Sequence, residues 1–191
     1  MPRYRADEHL PYFCTITILD WLPIFIDARY IDPIIDSLKF CREKKGLQLF
    51  AFVVMPNHLH LIAGSDAPLE RESLLVPGSD DLHAIMRDFK RFTSRTIHER
   101  LVTDGRKTLL TWLADAAESA RGRRNEFSLW RPGFEPRAIH SQKVLNQKLD
   151  YLHGNPVRKG LVSKPEDWFY SSASFYVGDE DVCMPVDILE L

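Results

Sequence analysis

Cysteine is scarce in this 191-residue chain: Cys14, Cys41 and Cys183 stand far apart, with no CxxC pair. That argues against a disulfide framework or a cysteine zinc site and leaves buried or incidental thiols in a reducing compartment. No run of 18 or more apolar residues occurs, so no segment reads as a membrane span. The opening stretch MPRYRADEHLPYF lacks an apolar leader core, and a cytoplasmic location is expected. Internal repeats and low-complexity tracts are also missing. Net charge is nearly absent at −2, but its distribution is uneven. Residues 121–164 carry ten basic side chains against three acidic ones, whereas 165–191 carry seven acids and no Lys or Arg. A local basic patch of this kind is compatible with nucleic acid, which the overall balance alone would not suggest.

What is present reads as one ordinary globular domain over 1–191, with a basic arm at 1–10 and an acidic tail at 177–191. Hydrophobic residues make up 45% of the chain and aromatics 11%, enough for a packed core. The stretch LFAFVVMPNHLHLIAG, residues 49–64, organises the rest. Leu49 to Met55 is apolar and rich in Phe and Val, which predicts a buried strand; Pro56-Asn57 interrupts it and a second strand resumes at His58. Side chains alternate along a strand, so His58 and His60 share one face while Leu59 and Leu61 take the other. Two imidazoles side by side form half of a metal site, and mutual repulsion disfavours protonating both. On their own they also fit a pair of strand histidines at a sheet surface.

Around this stretch, YFCTITIL at 12–19 predicts a first strand. Asp32-Pro33 offers a helix N-cap with proline at the first helical position, Ile34, Ile35, Leu38 and Cys41 follow at helical spacing, and Gly46 closes the helix. The order so far is β-α-β-β. From Asp80 or Asp81 to Leu101 an apolar stripe recurs at three and four, predicting an amphipathic helix that carries Arg87, Arg91 and Arg95 on another face with Lys90 beside them. Residues 103–125 are the least patterned, with a helix possible over Thr108–Ser119. Ser141 reads as the N-cap of a further helix whose buried stripe is Leu145, Leu149 and Leu152. Tyr151 falls away from that stripe, in a row with Val144, Lys148 and Asn155, and Pro156 ends the helix near Gly154-Asn155. Trp130 and Trp168 read as core residues ahead of base-stacking ones.

Two neutral imidazoles and an amide oxygen suit Mg2+ or Mn2+, which would polarise a phosphodiester. Tyrosine is a poor nucleophile at its ordinary pKa, and a nearby cation such as Lys148 would favour the phenolate. The set VVMPNHLHLI, the Lys90-bearing basic helix, LWRPGF at 129–134, YLHGNPVRKGLV and the trailing PEDWFYSSA closely resembles the REP-associated tyrosine transposases, members of the HUH single-strand endonuclease superfamily. The resemblance covers roughly Tyr12 to Tyr176. It implies an α+β, ferredoxin-like fold: an antiparallel sheet backed by helices, the histidine pair on a central strand and Tyr151 on the adjacent helix. It further implies His58, His60 and Asn155 as ligands of the divalent ion and Tyr151 as the nucleophile. The substrate would be single-stranded DNA hairpins of repetitive palindromes, cut to a 5′-phosphotyrosine and a free 3′-OH without a nucleotide cofactor. Expected DNA contacts are Arg3, Arg5, Arg87, Lys90, Arg91, Lys148 and Arg158, in a monomer or homodimer with no membrane partner. A hairpin-binding protein that no longer cuts, and a hydrolase of another phosphodiester, are the competing readings.

Overall fold

The computed structural model describes residues 10–65, 79–121 and 127–189. The expected contacts Arg3 and Arg5 therefore lie outside the described residues. In chain order the elements are β1 (Tyr12–Thr17), α1 (Ala28–Lys45), β2 (Leu47–Met55), β3 (His58–Ser65), α2 (Ser79–Thr103), α3 (Lys107–Arg121), β4 (Arg137–Ala138), α4 (Gln142–His153), α5 (Asn155–Arg158) and α6 (Ala173–Tyr176). The described strands form one antiparallel sheet in the order β2-β3-β1-β4. With α1 after β1 and α2 after β3, this is the expected ferredoxin-like α+β arrangement, and β3 lies between β1 and β2.

The sheet separates two cores. One face sends Cys14, Ile16, Phe52, Val54, Leu59 and Leu61 into the main core, which α1 and α2 complete with residues such as Ile34, Leu38, Met86 and Phe89. The opposite face contributes Phe13, Ala51, Val53, Met55 and Ile62 to a smaller cluster, closed by Leu145 and Leu152 of α4. Alternation along β3 thus sets Leu59 and Leu61 against the larger core and leaves the histidines on the α4 side.

Helix α1 departs from expectation at its start. It begins at Ala28, where Asp27 caps the backbone N–H of Arg29, and Pro33 lies inside the helix instead of opening it. Proline cannot donate to the Arg29 carbonyl one turn back, and that carbonyl instead accepts from the Arg100 guanidinium of α2. A tertiary donor compensates for the lost helical one. The weakly patterned region after α2 does form a helix, α3, longer than the sequence suggests. The N-cap of α4 is Ser141, as expected.

The outer edge of β2 is covered residue by residue. Leu49 exchanges hydrogen bonds with Asp187, its carbonyl accepting from the Asp187 N–H and its N–H donating to Oδ2, both at 2.8 Å. The Phe50 carbonyl, at a bulge between Leu49 and Ala51, accepts from the Tyr176 hydroxyl at 2.8 Å. Phe52 pairs with Ser172, and Val54 with the Tyr170 carbonyl and the Trp168 indole N–H. Part of the acidic tail is thus a strap on the sheet, with Met184 and Val186 buried and Arg42 paired to Asp187 at 2.5 Å. An exposed strand edge is a template for pairing, and this one is closed.

His153, at the end of α4, joins that cover through a 2.9 Å contact between its Nε2 and the Ser172 hydroxyl. Burial lowers its pKa to about 4, against a weaker upward pull from Asp150. The unfolded chain takes up this proton near pH 6.5, so between 6.5 and about 4 it binds a proton that the folded chain does not, and stability falls as pH drops through that window. The effect at pH 5 is on the order of 1–2 kcal/mol. His153→Gln, which retains a partner for Ser172, is expected to reduce by that amount the loss of stability between pH 7 and pH 5, measured by urea unfolding.

Candidate active site

The β3 register fixes the centre of the site. His60 lies opposite Thr15 on β1 and Val53 on β2, and His58 opposite Thr17 and Met55. The two imidazole centroids are 4.7 Å apart, and the residues are only 8% and 4% exposed. Burial pushes the pKa of His58 down to about 4, with a smaller contribution from Lys159. Burial also pushes His60 down to about 3; His58, Arg158 and Lys148 add to this, and the Cys14 backbone opposes it. The sequence reading credited mutual repulsion with keeping the pair neutral, but desolvation contributes more. Both rings hold free lone pairs at neutral pH.

The tautomer of His58 follows from its neighbours. Asn57 Nδ2 donates to the Trp21 carbonyl at 3.1 Å, which turns its Oδ1 toward His58 Nδ1 at 2.7 Å. An amide oxygen only accepts, so His58 carries its proton on Nδ1 and keeps its lone pair on Nε2. His60 Nδ1 lies 2.8 Å from the Thr15 hydroxyl, and its Nε2 is buried without a hydrogen-bond partner. A buried polar atom without a partner is costly, and holding Nδ1 while leaving Nε2 unpartnered is how proteins prepare histidine as a ligand. The donor set fits a divalent ion in this respect. Among the described residues no three of His, Cys, Asp or Glu gather as a metal-binding group.

Tyr151 rides on α4 over this face. Its ring is 5.4 Å from that of His60 and 5.9 Å from that of Phe13, and the residue remains 45% exposed. The cation on its ring is Arg158, with the guanidinium carbon 4.8 Å from the centroid and a hydrogen bond to the Tyr151 carbonyl. Lys148 Nζ lies over Phe13 instead, also at 4.8 Å. Arg158 reaches back because α4 stops at His153, as the sequence suggests, and the chain turns through Gly154 into α5. A Cβ at Gly154 would lie 2.8 Å from the Asp150 carbonyl and 2.5 Å from Arg158, which explains the glycine there. Asn155, at the head of α5, is 5% exposed and its Nδ2 has no partner.

Tyr151, His60, Thr15, Arg131 and Lys148 line a common cleft of about 460 Å3. A neighbouring groove of about 980 Å3 runs along α2 past Arg87, Lys90, Arg91 and Phe134, and Lys90 borders both. Lys90 donates to the carbonyls of Arg131 and Gly133 at 2.8 Å each, tying this segment to α2. Arg91 contacts Asp88 at 3.1 Å. Trp130 and Trp168 are structural, as expected: Trp130 is buried with its indole N–H on Thr93, and Trp168 ties to Val54. Sequence reasoning missed Thr15, Asn57, Trp21 and Arg131. Asn57 carried a signal in its place next to His58 in the turn, and Arg131 in its place within LWRPGF.

The Tyr151 hydroxyl makes no hydrogen bond among the described residues, so Tyr151→Phe is expected to shift stability by less than about 0.5 kcal/mol. Asn155 pays for an unpartnered buried amide, and Asn155→Leu, similar in shape, is expected to raise stability by about 1 kcal/mol. Urea unfolding of the two variants beside the parent chain checks both values.

No family model matches the chain. A Haemophilus influenzae protein assigned to the REP-associated tyrosine transposases is 26% identical over 176 residues, spanning 90% of this chain and 85% of the relative. The REP-associated tyrosine transposase of Escherichia coli K12 is 26% identical over 132 residues, spanning 69% of this chain and 57% of the relative. Among solved structures, a REP-associated tyrosine transposase bound to a REP hairpin superposes with a TM-score of 0.55 at 20% identity, covering 100% of this chain and 95% of the other. The chain is thus similar in sequence to REP-associated tyrosine transposases and shares the fold of one of them.

Proposed function

We propose that this protein is a metal-dependent single-stranded DNA endonuclease and strand transferase acting on hairpins of the REP type. The observation that carries this reading is the exposed Tyr151 ring 5.4 Å from buried His60, whose Nε2 has no partner. A solved neighbour of the same fold is bound to a REP hairpin, which supports hairpin DNA as the partner. Nε2 of His58, Nε2 of His60 and the side-chain oxygen of Asn155 would hold Mg2+ or Mn2+, which would supply Lewis-acid polarisation of the scissile phosphodiester.

The protein's own part follows from its residues. Tyr151 Oη attacks the phosphorus and loses its proton to water; the bond to the 3′ oxygen breaks, and that oxygen takes a proton to become a free 3′-OH. The phosphate stays on tyrosine as a 5′-phosphotyrosine, and attack by another 3′-OH reverses the step and joins strands. The linkage conserves the energy of the phosphodiester, so no nucleotide cofactor is needed. Arg158 over the Tyr151 ring and Lys148 in the cleft bring positive charge to the phosphate path. Arg87, Lys90 and Arg91 border the second groove and would follow the DNA backbone beyond the cleft, joined by Arg3 and Arg5 of the arm.

The direct test mixes the protein with a hairpin oligonucleotide drawn from the DNA around its own gene, with Mg2+ or Mn2+, on a denaturing gel that retains adducts. A slow band that disappears with chelator and in Tyr151→Phe is expected, and His58→Ala should lose it together with metal affinity. Hairpin binding without an adduct under both metals would instead favour the non-cutting binder. Arg87→Ala is expected to weaken hairpin binding more than it slows adduct formation, and to reduce the slope of log affinity against log salt by about one. Fluorescence anisotropy across a salt series reads both effects.

A further inference from the structure

Between β1 and α1 the chain makes a corner whose exposed side chain, Trp21, neither the cores nor the proposed strand-transfer step uses. Asp20 and Trp21 both take left-handed backbone conformations, with φ of 51° and 57°. Aspartate tolerates this region; a bulky aromatic rarely enters it. The corner persists because its surroundings over-determine it. The Trp21 N–H donates to the Ile18 carbonyl at 3.1 Å, the Leu22 N–H to the Leu19 carbonyl at 3.2 Å, and the Ile18 N–H to the Asn57 carbonyl at 3.0 Å. The Trp21 carbonyl is held by Asn57 Nδ2, the same amide whose oxygen faces His58.

The strain brings no burial to Trp21. Its neighbour Leu19 is buried, whereas Trp21 stays 51% exposed with its indole 6.0 Å from the His58 ring, edge to face. The guanidinium of Arg131 lies over the indole at 5.9 Å, and Arg131 lines the cleft that holds Tyr151 and His60. A half-exposed indole on a rigid corner, next to His58 and under an arginine that lines a cationic cleft, is an arrangement that can stack an unpaired base.

We infer that Trp21 is a stacking platform for one unpaired nucleobase next to the scissile phosphate, with Arg131 supplying the counter-charge for the adjoining phosphate. This rests on the strand-transfer reading and adds to it the means by which single-stranded substrate is seated against the histidine pair. Tethering the platform to His58 through Asn57 couples the position of the base to that of the imidazole.

The test walks a single abasic residue through the unpaired flank of the hairpin oligonucleotide and measures affinity and adduct yield at each position. With the parent protein, one position beside the cleavage site is expected to lose about tenfold in affinity. Trp21→Ala should bind the intact oligonucleotide about tenfold more weakly and show no further loss at that position, while Trp21→Phe restores most of the difference. An abasic profile unchanged in Trp21→Ala, in a protein that still forms the adduct, overturns this inference and leaves strand transfer standing. A parent protein that neither binds the hairpin nor forms an adduct overturns both.

Discussion

Everything at this site depends on the two-residue alternation of one central strand. β3 must send Leu59 and Leu61 into the main core, and that requirement turns His58 and His60 to the opposite face. A slip of one residue would turn two imidazoles into the main core among Ile34, Leu38 and Phe89 and put the leucines in their place on the α4 side, so the register is strongly specified. The same pairing sets Thr15 beside His60 and Phe13 beside the ring of Tyr151. The nucleophile candidate and the imidazoles are thus aligned by hydrophobic sorting before any substrate is present.

Burial also fixes the chemical state of the pair. Desolvation holds both histidines neutral far below neutral pH, and the Asn57 amide oxygen on Nδ1 leaves Nε2 of His58 as an acceptor. Asn57 has a wider part than its position in a turn suggests. Its amide oxygen orients one histidine, its amide nitrogen holds the corner at Trp21, and its backbone carbonyl ties down Ile18. A perturbation at any of these points would be felt at the others, because they share one residue.

Much of this was legible in the sequence. The β-α-β-β order, the long amphipathic α2, the Ser141 cap and the end of α4 before Pro156 all follow from local patterning, whereas the placing of Tyr151 beside His58 and His60 came from the family resemblance. What stayed hidden depends on partners distant in the chain. Pro33 looked like a helix start because nothing local announces that Arg100 will satisfy the carbonyl it leaves open. The tail read only as acidic, since a strap over β2 is recognisable only once the edge exists. Lys148 and Arg158 both carried the right charge, but which of them lies on the Tyr151 ring depends on the turn at Gly154. The left-handed corner was invisible for a further reason: Asp20-Trp21 contains no glycine to signal it.

That corner has an evolutionary consequence. A bulky residue at positive φ is one that drift would remove, since glycine or asparagine at position 21 relaxes the backbone without disturbing a core. On the role proposed for Trp21, position 21 is a marker of use: relatives that no longer bind hairpin DNA should lose the indole early, long before they lose the histidines that the sheet has buried.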